Sequence, residues 1–194
     1  MTSRNLKLLL LLLLLLPACA RPARLVVQPF ADAKHWMLVE PLKYRIGTTV
    51  HVIEVPKGFV TDFASVPPIL SPVLPPTGRY LAAAIVHDFL YWDQTCDRRD
   101  ADKLLAAAMK ESQVDDTEGG VIHLGVRLGG WLAWRRNAAA KAGGELQVLP
   151  PRVQNIPLDM TWPQYAAKLR MQNTIDASYR RPDREACRAA SLLH

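Results

Sequence analysis

The pattern of apolar and polar positions divides the chain into an extended part, a proline-rich part and a helical part. Two segments rich in Val, Ile, Trp and Tyr, residues 36–46 and 49–55, flank Gly47-Thr48. Such segments on either side of a turn predict an antiparallel β-hairpin. The next stretch, residues 57–77, contains five prolines, which interrupt any regular element. We expect it to form an irregular loop across the domain, and loops of this length are often functional.

From residue 78 onward the apolar residues follow a helical period. The pattern predicts one helix over residues 80–92 and a second over 99–113, which together form an antiparallel helical hairpin. A third helix is predicted over 118–137. It carries an apolar row at helical spacing, formed by Val121, Leu124, Leu128, Trp131 and Leu132. We expect this row to pack the third helix against the domain.

These elements predict a small α+β fold. It has an N-terminal antiparallel β-hairpin or small sheet, a central antiparallel helical hairpin, a third packing helix and an extended C-terminal tail. A single domain is expected over residues 36–142. After it, paired glycines and paired prolines precede a polar segment. Residues 143–194 are therefore interpreted as a C-terminal extension, with a short helix over 161–171.

The first residues of the chain have the features of an export signal. Arg4 and Lys7 precede nine consecutive leucines, and small residues follow up to Cys19. The apolar run is shorter than the roughly 20 residues that a spanning helix needs. The sequence Leu-Pro-Ala-Cys ending at Cys19 is typical of a lipoprotein cleavage site. We predict that residues 1–18 are removed and that Cys19 is acylated; the alternative is an ordinary signal peptide cut nearby.

The predicted anchor limits where the domain works and what it meets. Residues 19–35 then form the acylated N-terminus and a linker, and similarity to lipoprotein sorting rules implies the bacterial outer membrane. Without Arg4 and Lys7 the chain keeps 22 basic and 18 acidic residues, a net charge of about +4. This excess suits an anionic lipid or cell-wall surface. The expected partners are the membrane, phospholipid, cell wall or an envelope or phage protein, and the leader argues against nucleic acid.

A pair of cysteines remains beyond Cys19. Cys96 and Cys187 are even in number, and an exported chain enters an oxidising compartment. The sequence leaves open whether they form a disulfide or stay as two thiols.

The strongest candidate for chemistry is a histidine and an aspartate on the helical hairpin. His87 and Asp102 lie equally far from the middle of the connection between the helices, so they should lie side by side. Asp102 shares a helical face with Leu105 and Met109, which points the carboxylate toward the core, where it needs a partner. A histidine held in one tautomer by a carboxylate is suited to act as a general base. The alternative is a buried pair that only stabilises the fold, with Tyr91 in the same network.

A second acid next to His87 suggests a metal. Asp88 is turned by about 100° from His87 on the helix, toward the proline-rich loop and Asp62. With loop carbonyls, Asp88 and Asp62 are candidate ligands of a hard cation such as calcium. The alternative for Asp62 is a turn residue. Two weaker alternatives are a nucleophilic Ser65 beside His87 and a zinc site that includes His123.

Three motifs in order resemble the domain-of-unknown-function family 1353, which is widespread in phages and prophages. They are Gly-Phe-x-Thr-Asp-x-Ala-Ser-Val-Pro at 58–67, His-Asp-x-Leu-Tyr at 87–91 and Arg-x-Ala-Asp-x-x-Leu at 99–105. The resemblance spans about residues 36–134. Phe63 stands where the family usually has glycine, so the backbone turn of that loop is in doubt. The family supplies no activity.

A local part of the same region is similar to secreted phospholipase A₂. By that resemblance His87 would activate water, Asp102 would orient the histidine, and Asp88 would bind calcium. The chain departs from the pattern because it has no cysteine beside His87, no dense disulfide framework and no glycine-rich calcium loop upstream.

Two functions follow as hypotheses. The first is an envelope hydrolase of esters or phospholipids, with His87, Asp102 and Tyr91 at the catalytic site. The second is a non-catalytic, phage-derived envelope or assembly protein, in which the same residues hold the fold together.

Overall fold

The structure, a computed structural model, describes residues 24–63 and 79–189. The predicted leader with Cys19, the alternative nucleophile Ser65 and most of the proline-rich loop lie outside the described residues. Five strands come first: β1 Val27–Pro29, β2 Trp36–Leu38, β3 Leu42–Arg45, β4 Val52–Val55 and β5 Val60–Thr61. The helices follow: α1 Leu81–Asp93, α2 Arg98–Glu111, α3 Asp116–Ala142, a 3₁₀ turn Pro151–Val153, α4 Trp162–Met171 and α5 Arg184–Ala189. The predicted α+β fold class is confirmed.

The strands form two small antiparallel sheets. β3 and β4 make the predicted hairpin, with Leu42 opposite Val55 and Arg45 opposite Val52. β2 instead lies in the middle of a three-stranded sheet, between β1 and β5. The prediction of one continuous strand over 36–46 was therefore wrong. Pro41 stands between β2 and β3 and has no N–H to give to a ladder, so the chain leaves one sheet and enters the other there.

Helices α1 and α2 form the predicted antiparallel hairpin at the centre of the molecule. α1 is buried over most of its length, and its side chains meet β3, β4 and β5 as well as α2. It ends at Gln94, whose left-handed backbone (φ 61°) directs the N–H to the carbonyl of Leu90. Short connections on either side of α2 keep α1, α2 and α3 in contact. His87 and Asp102 thus lie on the two central helices.

The outward face of α3 differs from the prediction. The apolar row expected to pack against the domain is largely exposed: Leu124 is 57%, Leu128 78%, Trp131 58% and Leu132 46% exposed. The contact with α1 is made instead around the buried Gly130 and the half-buried Trp134, whose ring meets the ring of Tyr91. Glycine lets two helices approach closely, and the large side chains are left outside. None of the described helices has both the length and the hydropathy to cross a bilayer.

The C-terminal segment, predicted as an extension, is built into the core as far as residue 189. Its apolar residues pack under the three-stranded sheet: Leu146, Leu149, Ile156, Trp162, Tyr165, Ala166 and Leu169. The predicted short helix is confirmed as α4, which Thr161 and Gln164 start with a reciprocal capping box. A disulfide joins Cys96, in the connection of the helical hairpin, to Cys187 in α5. The segment looked peripheral because its apolar residues have no continuous period.

Candidate active site

His87 and Asp102 meet as predicted from their spacing. His87 Nε2 lies 3.1 Å from Asp102 Oδ1 and bridges α1 and α2. The imidazole is only 6% exposed. Because a carboxylate can only accept here, Nε2 carries the proton and Nδ1 keeps its lone pair, a tautomer assigned from this hydrogen bond. The pair therefore has the arrangement of a base and its orienting acid.

Two further donors hold the Asp102 carboxylate. The Tyr91 hydroxyl donates to Oδ1 at 2.6 Å, and Arg98 Nη1 donates to Oδ2 at 2.6 Å. The ring of Tyr91 also lies against the ring of His87, with centroids 4.1 Å apart. Tyr91 was predicted in this network, whereas Arg98 was missed. Arg98 stands four residues before Asp102 on the same helix, and this i, i+4 spacing is the signal that would have revealed it.

The hydrogen-bonded network around Asp102 sets the protonation states of His87 and Asp102. Burial lowers the pKa of His87; its bond and attraction to Asp102 oppose this shift only in part, and the charge of Arg98 adds to it. Burial alone would raise the pKa of Asp102, but hydrogen bonds from His87 and Tyr91 and the charge of Arg98 lower it overall. A neutral imidazole therefore stands beside an ionised carboxylate at neutral pH. This is the protonation state that a general base needs before it takes a proton.

A cleft of about 430 Å³ opens beside His87. Its walls come mainly from α1 and α3 and include His87, Asp88 and Tyr91 on one side and Val126, Gly129 and Gly130 on the other. Most of this wall is apolar, with a few polar groups on the α1 side, as expected for a site that binds an organic molecule. Gly129 contributes open space, since a Cβ there would meet no heavy atom within 4 Å.

Asp88 and Asp62, the predicted metal ligands, both line this cleft. Asp88 Oδ2 accepts a hydrogen bond from the Thr61 hydroxyl at 2.6 Å, and Thr61 Oγ1 in turn accepts from the N–H of Phe63. Phe63 has a positive φ of 59°, so it keeps the left-handed turn that glycine would favour. Within residues 24–63 and 79–189, no three His, Cys, Asp or Glu side chains come together as metal ligands. Calcium takes about six to eight oxygens, and the loop carbonyls predicted to complete the site with these two carboxylates lie mostly outside the described residues. Calcium binding at Asp88 and Asp62 therefore stays a prediction.

A second histidine and aspartate at the same cleft were missed by sequence reasoning. His35 lines the cleft, and its Nδ1 lies 2.9 Å from Asp32 Oδ2. The same carboxylate oxygen accepts from the backbone of Trp162, at the start of α4. Burial opposes ionisation of Asp32, yet hydrogen bonds from Lys34, His35 and Trp162 lower its pKa to about 2. Asp32 and His35 are only three residues apart, so their contact is local. Their position at the cleft could not be foreseen, because it depends on Trp162, 130 residues away in the sequence. His123, of the zinc alternative, is an exposed residue of α3.

These motifs can now be compared with known families. Residues 36–126 match the family model described as protein of unknown function, DUF1353. The match covers β2 to the first part of α3, and so includes His87, Tyr91, Arg98 and Asp102. No curated protein and no solved structure matches the chain. The family supplies no activity, so the function is argued from the site.

Proposed function

We propose that this protein is an exported, lipid-anchored envelope protein whose domain hydrolyses esters, with phospholipids as the substrate class. The observation that carries the proposal is the 3.1 Å contact between His87 and Asp102 beside a cleft with mainly apolar walls. Had the two side chains been apart, or had His87 been sealed away from any cleft, a hydrolase would have no support. The apolar walls suit acyl chains better than a charged polymer.

The chemistry follows from the protonation states. The lone pair of His87 Nδ1 takes a proton from a water molecule, and the resulting hydroxide attacks the ester carbonyl carbon. The imidazolium formed in this step is stabilised by Asp102, which also keeps the ring in position through Nε2. When the tetrahedral intermediate collapses, the carbon–oxygen bond to the alcohol breaks, and the Nδ1 proton passes to the leaving oxygen. The products are a carboxylic acid and an alcohol.

Export is supported by two independent features. The disulfide between Cys96 and Cys187 belongs to proteins that fold in oxidising compartments. The leader that ends at Cys19 supplies the export signal and a lipid anchor at the outer membrane. Replacing Cys19 by serine in the producing bacterium should move the protein from the membrane fraction to the soluble fraction and remove labelling by radioactive palmitate. Unchanged labelling of Cys19→Ser would contradict the anchor.

The enzymatic part is tested with one variant and a matched control. His87→Gln should lower fatty-acid release from phospholipid micelles by roughly a hundredfold to ten-thousandfold, the usual contribution of a general base. His51→Gln makes the same change on the β3–β4 hairpin, outside the cleft, and should keep full activity. Both variants should remain folded by circular dichroism. Activity in His87→Gln equal to that of the parent would refute the assignment.

The alternative is a non-catalytic envelope protein of phage origin, and one observation favours it. Asp102 already accepts hydrogen bonds from His87, Tyr91 and Arg98, so the network is satisfied without any substrate. In that case the parent protein should release no fatty acid from any phospholipid, and His87→Gln should lower the melting temperature by many degrees. The two functions thus predict opposite results in the same pair of measurements.

A further inference from the structure

The exposed apolar residues of the molecule are concentrated on one helix. Of the nine large apolar side chains that are exposed among the described residues, four lie on α3: Leu124, Leu128, Trp131 and Leu132. A helix of about 3.6 residues per turn places these four on one side, opposite the side that packs on α1 and α2. We call these four residues the α3 outer face. Single exposed apolar residues are common, whereas a continuous row usually marks a contact surface.

Beyond its first turn, α3 carries charged side chains of one sign only. From Gly119 to Gly144 the sequence contains no acidic residue. The exposed Arg127, Arg135 and Arg136 lie on the same stretch of α3. The guanidinium carbon of Arg135 lies 4.9 Å from the centre of the Trp131 ring. An apolar row with a tryptophan, bordered by arginines and free of acids, is the pattern of helices that lie at the surface of a bilayer.

We propose that the α3 outer face docks on an anionic lipid surface, with its leucines and Trp131 in the interface and its arginines at the headgroups. This contact is separate from the N-terminal anchor and requires no catalysis. Charge complementarity favours lipid over a second copy of the chain, because two copies would bring their arginines together. A lipid anchor at Cys19, as proposed above, brings the start of the described domain at residue 24 close to a membrane.

The same helix connects the docking face to the cleft. Gly125 and Gly129 line the cleft, and Leu124 and Leu128 precede them directly in the sequence. Successive residues differ by about 100° around a helix, so the apolar face borders the cleft wall. A domain lying on this face would therefore hold the cleft near the lipid headgroups. This consequence bears on the proposed hydrolase, but the docking is tested without any enzymatic readout.

The experiment uses the full chain in vesicles, with a dye whose fluorescence responds to polarity. Cys19→Ser leaves Leu128→Cys as the single free thiol, because Cys96 and Cys187 are bonded to each other. The control carries the dye at Val50→Cys, an equally exposed position on the β3–β4 turn (84% exposed). Both proteins carry the same leader with Cys19→Ser, so any effect of the leader is equal at the two dye positions. A difference between the two positions that appears only with vesicles then reports contact of the α3 outer face with lipid.

We expect the dye at residue 128 to brighten and shift to the blue in vesicles of phosphatidylcholine with phosphatidylglycerol. Lipids with a nitroxide at the headgroup should quench it, and salt should weaken the effect. The dye at residue 50 should not respond. Adding Trp131→Ser and Leu132→Ser should abolish the response, whereas Leu158→Ser and Met171→Ser, exposed apolar residues elsewhere, should leave it unchanged.

Three results would overturn the proposal. A dye at residue 128 that stays in water with anionic vesicles would show that the face does not touch lipid. A blue-shifted dye without vesicles whose signal depends on protein concentration would show a second copy on the face. The same shift at every concentration would show that another part of the chain, such as residues 64–78, covers it. None of these outcomes depends on whether the protein is an esterase, so failure here and failure of the hydrolase are distinguishable.

Discussion

Gly130 is the position at which α3 most directly constrains the His87 network. A Cβ added there would lie 2.6 Å from the Tyr91 hydroxyl oxygen and 3.4 Å from Arg98 Nη1. The Tyr91 ring cannot easily yield this space, since it packs against the rings of His87 and Trp134. Gly130→Ala should therefore displace the hydroxyl from Asp102. Gly129→Ala is the matched control, because a Cβ at the neighbouring position meets nothing within 4 Å.

The two substitutions should change the free energy of unfolding in opposite directions. Alanine stabilises a helix interior by about 1 kcal/mol relative to glycine, and both variants gain this amount. Gly130→Ala also loses the hydrogen bond from Tyr91 to an ionised carboxylate, which contributes about 1.5–3 kcal/mol. The control should thus be more stable than the parent and Gly130→Ala less stable, with a difference of about 1.5–3 kcal/mol between them. For a chain of this length the difference corresponds to roughly 3–12 °C in melting temperature.

Thermal unfolding followed by circular dichroism measures this difference, and a double-mutant cycle identifies its cause. Tyr91→Phe removes the hydroxyl that the new Cβ would meet. In the Tyr91→Phe background, Gly130→Ala should therefore be as stabilising as Gly129→Ala. If Gly130→Ala already matches the control in the parent protein, the hydroxyl does not lie over Gly130, and the proposed geometry of the Tyr91–Asp102 network is refuted.

Two further predictions concern stability. Cys96 and Cys187 are 91 residues apart, so replacing both by serine should cost about 4–5 kcal/mol by the loop-entropy relation, measured by urea unfolding. An unfolding midpoint that is the same with and without reductant would contradict the bond. Burial lowers the pKa of His87 in the folded protein. On acidification His87 is therefore protonated in the unfolded chain before it is protonated in the folded protein. The free energy of unfolding should therefore fall as the pH drops below about 6.5, the usual pKa of an exposed histidine. His87→Gln should flatten this slope, and an unchanged slope would assign the proton to another group.

The features that the sequence predicted well are local. The helical hairpin follows from period and short connections, and a short connection also fixes which residues of two antiparallel helices face each other. That is why the contact between His87 and Asp102 could be inferred from spacing alone. Tyr91 follows from the same face, one turn after His87. The features that were missed depend on distant parts of the chain. The carboxylate of Asp32 binds the backbone of Trp162, and no local pattern connects these positions.

The separation of β2 from β3 shows a similar limit. Both segments have the composition of strands, so their pattern gives no reason to assign them to different sheets. The partners that separate them, β1 and β5, lie on either side in the sequence and pair with β2 by contacts that composition does not specify. Pro41 was a sequence signal that the segment could be divided into two strands. It did not indicate which strands each of the two would pair with.

Helix α3 shows why an apolar row does not by itself identify a buried face. Periodicity reports that Leu124, Leu128, Trp131 and Leu132 share one side, but it does not report which side meets the protein. The competing side carries glycines, which a hydropathy pattern scores as neutral although they allow the closest helix contact. Gly130 takes that position, and its lack of a side chain leaves room for the Tyr91 hydroxyl on Asp102. The large residues are consequently turned outward, where only a partner outside the described chain can bury them. The same glycine therefore explains both the closed network around His87 and the exposed face that we assign to the membrane.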